Sequence, residues 1–317
     1  MDIRALRDYA LMMSDHTRML AFEEAIAATC RDAVVCEIGV GLGPLSLMAL
    51  KAGAKRVYGI ELDPRALRKA MELIAHNGFG PKVFIPFVGL STEVELPERV
   101  DVVLSETLDS MGVGENTVHY MADARQRFLK PGGHMLPLSL ECFFALASPA
   151  SFSRMQSVWT EMSAYGLDYG PLVRNVRAVK HTLPIANREL ASDWQAWQAI
   201  DFATTRGLPA VLPMVLEATR SGRIEGLASA FRATLSPDVH LSTFPQDAPT
   251  HWQQGFSPFP SHPIDVVAGE LVYIELQPRA RPDPSLGWEM IVAHGPPEQV
   301  EKFLQQRHQN MRHKATG

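Results

Sequence analysis

The chain has 317 residues, of which 46% are hydrophobic and 21% charged, and its formal net charge at pH 7 is −5. This length allows two domains, and a mildly acidic chain without a block of lysines and arginines argues against a broad nucleic-acid-binding surface. No apolar stretch approaches the roughly 20 residues of a membrane-spanning helix. The first residues resemble no secretion signal. We therefore expect a cytoplasmic protein that binds neither nucleic acid nor membrane.

The cysteines and histidines predict no metal site and no disulfide framework. The three cysteines, Cys30, Cys36 and Cys142, form no CxxC pair, and their number is odd. Such a set is typical of a protein in a reducing compartment. The histidines likewise show no metal-ligand spacing, so no metal is expected.

Residues 1–138 alternate between helical and strand patterns. Two helices that meet near Ser14 are predicted between residues 4 and 28, and a helix at 64–78 begins with proline and stops at glycine. Apolar runs predict strands at residues 33–40, 56–62, 82–89 and 100–106. This alternation indicates a parallel sheet with helices on both faces, an α/β fold.

The pattern changes after Pro137, and the second part of the chain is rich in strand-like segments. These segments lie at residues 138–148, 211–218, 226–236 and 265–279. Between the first two lies a helical insert at 148–170 that contains Trp159, Tyr165 and Tyr169. We therefore predict a first domain at 1–138 and a mostly antiparallel second domain at 139–317, with a helical arm at about 150–175.

A glycine-rich loop follows the first predicted strand. Gly39, Gly41 and Gly43 stand where the strand turns into a helix, and glycine permits tight turning and close approach of a ligand. The acidic Glu61 ends the next strand, 22 residues after Gly39, where it can accept hydrogen bonds from a ribose diol. The context predicts a nucleoside-containing cofactor; a plain tight turn is the less favoured interpretation.

The residues around these glycines distinguish two cofactors. A dinucleotide fingerprint requires a small residue after the third glycine, and Pro44 stands there. The pattern that begins at Glu37, E/D-x-G-x-G-x-G, instead favours S-adenosylmethionine, which has no phosphate. A methyltransferase is therefore favoured over a dehydrogenase.

Two glutamates, Glu106 and Glu115, lie nine residues apart on the loop after the fourth predicted strand. Open α/β sheets bind ligands at this carboxyl edge of the strands. Two carboxylates there suit a guanidinium, whose planar set of donors pairs bidentately with carboxylates. Two solvated loop acids without a role are the alternative.

Together these motifs resemble the protein arginine methyltransferases over residues 10–277. The family's double-glutamate loop begins Ser-Glu and has its second glutamate nine positions later, as in SETLDSMGVGEN at 105–116. Its threonine-histidine-tryptophan loop is similar to PTHWQQ at 249–254, and MMSDHTRM at 12–19 resembles the segment that wraps the cofactor. The resemblance implies a Rossmann-like domain that binds S-adenosylmethionine, a β-barrel domain, a helical dimerisation arm and a homodimer.

The resemblance also implies roles for individual residues. The expected catalytic residues are Glu106, Glu115, His251 and Asp15. The expected cofactor-binding residues are Met12, Arg18, Glu37, Gly39, Gly41, Gly43, Glu61, Ser91, Thr92 and Glu106. The expected substrate-binding residues are Glu106, Glu115, Thr117 and Trp252. Arg18 would bind the methionine carboxylate, and either the Asp15–His251 pair or a glutamate would accept the proton. Packing of its own loop explains Trp252 equally well.

Several positions depart from the family pattern. Thr107 and Ser110 stand where the family has bulkier aromatic residues, and Thr117 stands where a methionine often crowds the acceptor. The family's tyrosine-rich helix ahead of Met12 is not matched, so residues 3–9 are expected to form a shorter lid or none. We predict methyl transfer to a guanidino nitrogen of arginine, free or in a peptide or protein. The alternatives are a small-molecule N- or O-methyltransferase and a catalytically silent scaffold.

Overall fold

The structure is a computed structural model that describes residues 3–282 and 285–315. The first part of the chain forms a five-stranded sheet in the order β3-β2-β1-β4-β5, and all its neighbouring strands are parallel. The strands are β1 (Val34–Ile38), β2 (Arg56–Glu61), β3 (Phe84–Val88), β4 (Val100–Ser105) and β5 (Leu129–Leu136). Every residue of β1 is buried, as expected for a central strand with helices on both faces.

Five helices accompany this sheet and confirm the predicted alternation. They are α1 (Ile3–Ser14), α2 (His16–Thr29), α3 (Pro44–Lys51), α4 (Pro64–His76) and α5 (Thr117–Arg127). The predicted break near Ser14 occurs at Asp15, whose side chain accepts a hydrogen bond from the backbone N–H of Arg18 and caps α2. None of the helices in the described ranges is both long and apolar enough to span a bilayer.

The strand order reverses between β1 and β4. Chain connections leave these two strands toward opposite sides of the sheet, which opens a crevice at their carboxyl ends. The glycine loop follows β1 and the double-glutamate loop follows β4, so both motifs border this crevice.

The second part of the chain is antiparallel, as predicted. Its strands are β6 (Ser139–Ala147), β7 (His181–Leu183), β8 (Gln195–Asp201), β9 (Leu212–Glu217), β10 (Gly222–Ile224), β11 (Gly226–Ser236), β12 (Val239–Ser242), β13 (Gln254–Pro258), β14 (Ile264–Val266), β15 (Leu271–Ala280) and β16 (Leu286–Gly295). They form sheets of six, three and two strands. A β-barrel was predicted for this part of the chain. The hydrogen-bonded ladders of the described strands form separate sheets, so this pairing does not show one closed ring.

The predicted arm is helical. It consists of α6 (Ala150–Glu161), a 3₁₀ turn (Met162–Tyr165) and α7 (Gly170–Arg177). Its base is fixed by the buried Arg177, which donates to a Glu225 carboxylate oxygen at 2.8 Å and to the Phe259 carbonyl at 3.0 Å. The arm is therefore held to the antiparallel sheet at one end.

A long C-terminal helix, α8 (Pro297–Ala315), was not predicted from the sequence. Arg307 on this helix donates to both carboxylate oxygens of the fully buried Glu275 on β15, at 2.5 Å each. The Tyr273 hydroxyl donates to the same carboxylate at 2.7 Å. The bonds from Arg307 lower the pKa of Glu275 to about 2 against the opposing effect of burial, so the carboxylate stays ionised.

Candidate active site

A cleft of about 470 Å³ lies at the carboxyl ends of the parallel strands. The predicted residues that line it are Met12, Arg18, Glu37, Gly39, Gly41, Glu61, Ser91, Glu106 and Glu115. Predicted residues outside its walls are Asp15, Gly43, Thr92, Thr117, His251 and Trp252. The fold thus brings the glycine loop, the wrapping segment and both glutamates to one cavity.

The glycine loop adopts backbone conformations that favour glycine. Gly39, Gly41 and Gly43 have φ of 80°, 56° and 79°, in the left-handed region. A Cβ on Gly41 would lie 2.9 Å from the ring of Tyr9, so a side chain there would displace the wall of the cleft. Gly43 instead backs onto α4, where a Cβ would lie 3.2 Å from Ala70. Gly43 therefore serves helix packing, and Gly39 and Gly41 border the cavity.

Glu61 is held at the rim of the cleft by backbone donors. Its two carboxylate oxygens accept from the N–H groups of Gly41 and Asp63, each at 2.8 Å. Each oxygen retains a second lone pair. The fixed carboxylate can therefore accept hydrogen bonds from a diol on a ligand.

Glu37 forms the floor of the cleft and is fully buried. It accepts a hydrogen bond from the Ser46 hydroxyl, yet burial raises its pKa to about 8, with Glu61 adding to the shift. With this pKa Glu37 is largely uncharged at pH 7, so the carboxylate that disfavours a pyrophosphate beside the glycine turn is that of Glu61, bonded to the Gly41 N–H. These residues therefore fit S-adenosylmethionine better than a dinucleotide.

Arg18 and Glu106 form a buried ion pair in the same cleft. The Arg18 Nε donates to Glu106 Oε2 at 2.8 Å, and both side chains are 6% exposed. The other oxygen of Glu106 accepts from the Leu108 N–H at 3.1 Å. The sequence assigns Arg18 to the cofactor carboxylate and Glu106 to both the cofactor and the acceptor guanidinium, and in the structure the two side chains contact each other.

Glu115 has a different environment from Glu106. Its side chain is open to the cleft, but the protein encloses the carboxyl on its other sides, and the neighbouring charge that acts on it is the negative Glu106. Burial and, to a lesser extent, this repulsion raise its pKa to about 7. A cationic ligand would relieve both effects.

Asp15 and His251 join the wrapping segment to the threonine-histidine-tryptophan loop. Asp15 Oδ2 accepts from the His251 backbone N–H at 2.8 Å and lies 2.9 Å from its Nδ1. Burial raises the pKa of Asp15, but the bonds from Arg18 and His251 more than offset it, so the pKa lies below its usual value. The predicted pairing is present; its part in proton transfer stays a prediction.

Trp252 is buried beneath the double-glutamate loop. Its Nε1 donates to the Leu108 carbonyl at 2.6 Å, and the Arg18 guanidinium lies 5.9 Å from its ring. Trp252 thus positions the loop that contains Glu106, as the packing interpretation holds. Its predicted contact with substrate stays a prediction.

The threonines of the loop form a hydroxyl network. The Thr107 and Thr117 hydroxyls lie 3.0 Å apart, and Ser105 is 3.2 Å from Thr107. Thr117 is fully buried and lies behind the cleft wall, whereas Thr107 lines the wall. Thr107, rather than Thr117, is the threonine in position to contact a ligand.

Tyr9 and Ser285 are among the cleft residues that the sequence did not assign to the site, although Tyr9 ends the segment at 3–9 that was expected to form a shorter lid or none. Tyr9 on α1 lies over the glycine turn, and burial, followed by the charge of Glu61, raises its pKa to about 12. It lies three residues before Met12, on the same helix face, which was an available signal. Ser285 reaches the cleft because the Leu286 N–H bonds to the Gly114 carbonyl at 2.7 Å, a contact with no local sequence signal.

Comparison with known proteins identifies the family of this chain. Residues 17–137 match the family model of ribosomal protein L11 methyltransferase, and residues 141–288 match that of the arginine methyltransferase oligomerization subdomain. The arginine N(omega)-methyltransferase of Streptomyces achromogenes is 30% identical over 276 residues, which cover 84% of this chain and 74% of that enzyme. The chain belongs to the protein arginine methyltransferase family. Members of this family are methyltransferases that use S-adenosylmethionine, so the enzyme class and the cofactor follow.

Other members of the protein arginine methyltransferase family are similar at the same level. The probable histone-arginine methyltransferase of Oryza sativa is 30% identical over 283 residues, which cover 82% of this chain. The chain spans 52% of the length of that plant protein. It therefore matches about half of this relative and most of the bacterial one.

Two solved structures share the fold. The Trypanosoma brucei PRMT1 enzyme–prozyme heterotetrameric complex with AdoHcy has a TM-score of 0.75 at 22% identity and covers 91% of this chain and 93% of its own. Arabidopsis thaliana protein arginine methyltransferase 10 has a TM-score of 0.72 at 22% identity, with 92% and 93% covered. The parallel sheet followed by antiparallel sheets is thus the family architecture.

The cofactor assignment predicts the effect of one substitution. Glu61→Ala should weaken S-adenosylhomocysteine binding by about 1–3 kcal/mol, because it removes hydrogen bonds to a charged group. Isothermal titration calorimetry measures this change, with Glu93→Ala as an exposed acidic control. Unchanged affinity in Glu61→Ala, or tight NADH binding by the unsubstituted protein, would contradict the assignment.

Proposed function

We propose that this enzyme transfers a methyl group to a guanidino nitrogen of arginine, either free or within a peptide or protein. The observation that carries the proposal is the cleft in which Glu106 and Glu115 lie with the glycine loop. The names of its relatives, arginine N(omega)-methyltransferase and histone-arginine methyltransferase, support the choice of acceptor.

The two carboxylates perform the chemistry that a guanidinium requires. A guanidinium has a pKa above about 12, so its nitrogens are poor nucleophiles. Glu106 and Glu115 hold its donors and concentrate the positive charge near themselves, which leaves more lone-pair character on the nitrogen turned toward the methyl group. When bound, S-adenosylmethionine supplies that methyl group on a sulfonium, and a neutral thioether remains. Orientation and electrostatic placement provide most of the acceleration.

The methylated nitrogen must then lose a proton. Glu115 borders the cleft beside Glu106, and its carboxylate is in position to accept this proton. His251 does not line the cleft, so we assign the proton to a Glu115 carboxylate oxygen and assign a positioning role to the Asp15–His251 pair.

One experiment tests the acceptor. The enzyme with labelled S-adenosylmethionine should methylate at least one of three acceptors: free arginine, an arginine peptide and the proteins of a cell lysate. Label on a non-guanidino small molecule would favour the small-molecule methyltransferase. Cofactor binding without label transfer to any acceptor would favour the silent scaffold.

We further propose that the enzyme is a cytoplasmic homodimer. The arm exposes apolar side chains, with Val158, Tyr165 and Leu167 at 54%, 78% and 46% exposure, and a partner subunit would cover them. The match to an oligomerization subdomain supports the dimer. The three cysteines are buried and form no disulfide with one another, which is compatible with that compartment.

The dimer is tested by light scattering. At about 10 micromolar, roughly the range in which an interface of standard size is occupied, the protein should scatter as twice 35.0 kDa. Tyr165→Ser should shift the equilibrium toward monomer, because it removes exposed aromatic surface from the contact. A monomeric mass for the unsubstituted protein would contradict the proposal.

A further inference from the structure

A second cavity, of about 520 Å³, lies outside the active cleft. It is enclosed by the start of α6, the segment at 184–189 and the loops at 243–250 and 253–254. The two cavities share no lining residue. Its size falls within the range of small-molecule sites.

Two arginines give this cavity cationic groups that are available to a ligand. Arg154 on α6 and Arg188 on the opposite wall both line it, and both are solvent-exposed. Within residues 3–282 and 285–315, neither guanidinium forms a hydrogen bond or an ion pair. Each retains five N–H donors and a permanent positive charge.

The two acids that line the cavity, Glu189 and Asp247, form no ion pair with these arginines in the described part of the chain. Glu189 is already bonded through both carboxylate oxygens, to the backbone N–H groups of Ala150 and Ala186, each at 2.8 Å. Asp247 accepts from the hydroxyl of Ser242. Both acids are engaged within the protein, and the arginines are left facing the cavity.

Two hydroxyl groups on the cavity wall are also unpartnered. Ser151 Oγ and Thr250 Oγ1 are shielded from solvent and have no hydrogen-bonding partner, and Thr250 is only 8% exposed. A buried hydroxyl without a partner costs about 1–3 kcal/mol and calls for an explanation. Rotation of either side chain to a neighbouring staggered conformation redirects its hydroxyl, so both can become donors to an occupant of the cavity.

Two free guanidinium groups and two hydroxyl donors form a set that recognises an oxyanion. We propose that this cavity binds a small molecule bearing a carboxylate or a phosphate group. The chemistry of the donors does not discriminate between these two oxyanions, so the experiment has one arm for each.

The cavity adjoins the loop that positions the active site. Gln254 accepts from the Ile185 N–H at 2.8 Å and donates to the Thr243 carbonyl at 2.7 Å, so it ties the loop to two walls of the cavity. Thr250 and Gln254 flank His251 and Trp252, which contact Asp15 and the double-glutamate loop. A bound oxyanion therefore alters the conformation of the threonine-histidine-tryptophan loop, and this loop positions the acceptor site. This coupling rests on the proposed function.

Calorimetry tests binding without requiring turnover. Citrate and inorganic phosphate, titrated separately at low ionic strength, are the two probes, and at least one should bind. Arg154→Met and Arg188→Met should each weaken that binding by at least about tenfold, the loss expected for a charge-assisted hydrogen bond. Arg174→Met, an exposed arginine of α7 outside the cavity, is the matched control and should bind normally.

The outcomes distinguish the proposed oxyanion site from the proposed methylation of arginine. No binding of either probe, or binding that is equally strong in the Arg154 and Arg188 variants, overturns the oxyanion site whatever the enzyme methylates. If binding occurs, the same probe should change the KM for the arginine acceptor in the unsubstituted enzyme but not in Arg188→Met. Binding that leaves the KM unchanged overturns the coupling.

Discussion

Glu115→Gln should lower kcat/KM for an arginine acceptor by roughly thirty- to several-thousand-fold, which corresponds to about 2–5 kcal/mol. Glutamine keeps the shape of the side chain and removes its charge, so the loss reports the electrostatic interaction with the guanidinium rather than packing. A steady-state assay with labelled cofactor measures the change. Glu115 is the sharper test because it forms no ion pair with another described side chain, whereas Glu106 contacts Arg18.

The controls distinguish catalysis from cofactor binding. Glu115→Gln should bind S-adenosylhomocysteine normally, because the side chain is not assigned to the cofactor. Glu106→Gln should show a comparable loss of turnover, and its cofactor affinity should also change because Arg18 loses its partner. Glu93→Gln, an exposed acid without a role in the cleft, should stay within about 0.5 kcal/mol of the unsubstituted enzyme. Near-normal turnover in Glu115→Gln would refute the assignment.

The same carboxyl predicts the pH dependence of activity. A pKa raised to about 7 means that Glu115 is largely protonated below pH 7, and only the ionised form holds a guanidinium and accepts a proton. We expect kcat/KM to rise with pH through about 7, since this parameter reports groups of the free enzyme. In Glu115→Gln, kcat/KM should no longer rise with pH through about 7.

Arg307→Met should lower the free energy of unfolding by about 3–5 kcal/mol, the typical cost when one partner of a buried ion pair is removed. The reason is that Glu275 is fully buried, so its carboxylate would lose the guanidinium that compensates its charge. Urea denaturation at pH 7 measures the change. Lys302→Met, which removes an exposed charge from the same helix, should change the stability by less than about 0.5 kcal/mol.

Two further measurements identify the cause. The double variant Glu275→Gln/Arg307→Met should recover part of the loss, because the buried charge is then gone. The deficit of Arg307→Met should also narrow as the pH falls from 7 toward 4. In the variant, protonation of Glu275 removes the buried charge that has lost its partner, so the variant recovers stability. In the unsubstituted protein the pKa of Glu275 is lowered to about 2. The ionised Glu275 therefore stops stabilising that protein only as the pH falls from the pKa of the unfolded chain toward 2. A deficit that stays constant with pH would contradict this account.

Much of the fold was predictable because local patterns determine it. The alternation of strands and helices, the break beside Ser14 and the helical arm follow from periodicity and from turn and cap residues. The convergence of the glycine loop with Glu61 and Glu106 also follows, because the carboxyl ends of parallel strands meet at one edge.

The features that the sequence did not predict depend on contacts between residues that lie far apart in the chain. The contact of Arg18 with Glu106 joins α2 to the loop after β4, and the sequence motifs assign each side chain to a ligand instead. The helix α8 is largely polar, and its position depends on Glu275, a fully buried charged residue of β15. Ser285 enters the cleft through pairing of a β16 residue with the double-glutamate loop. No local pattern encodes these three contacts.

The bond between Asp15 and His251 has a consequence for synthesis of the chain, because it spans 236 positions. At about 5–20 residues per second, the ribosome adds the 113 residues from 138 to 251 in roughly 6–23 seconds. During that interval the strands of the parallel sheet have been synthesised, but α1 and α2 lack the imidazole that anchors the start of α2. Ribosome-bound chains that end at residue 240 should therefore be cleaved by protease near Ser14, and chains that expose residue 251 should resist.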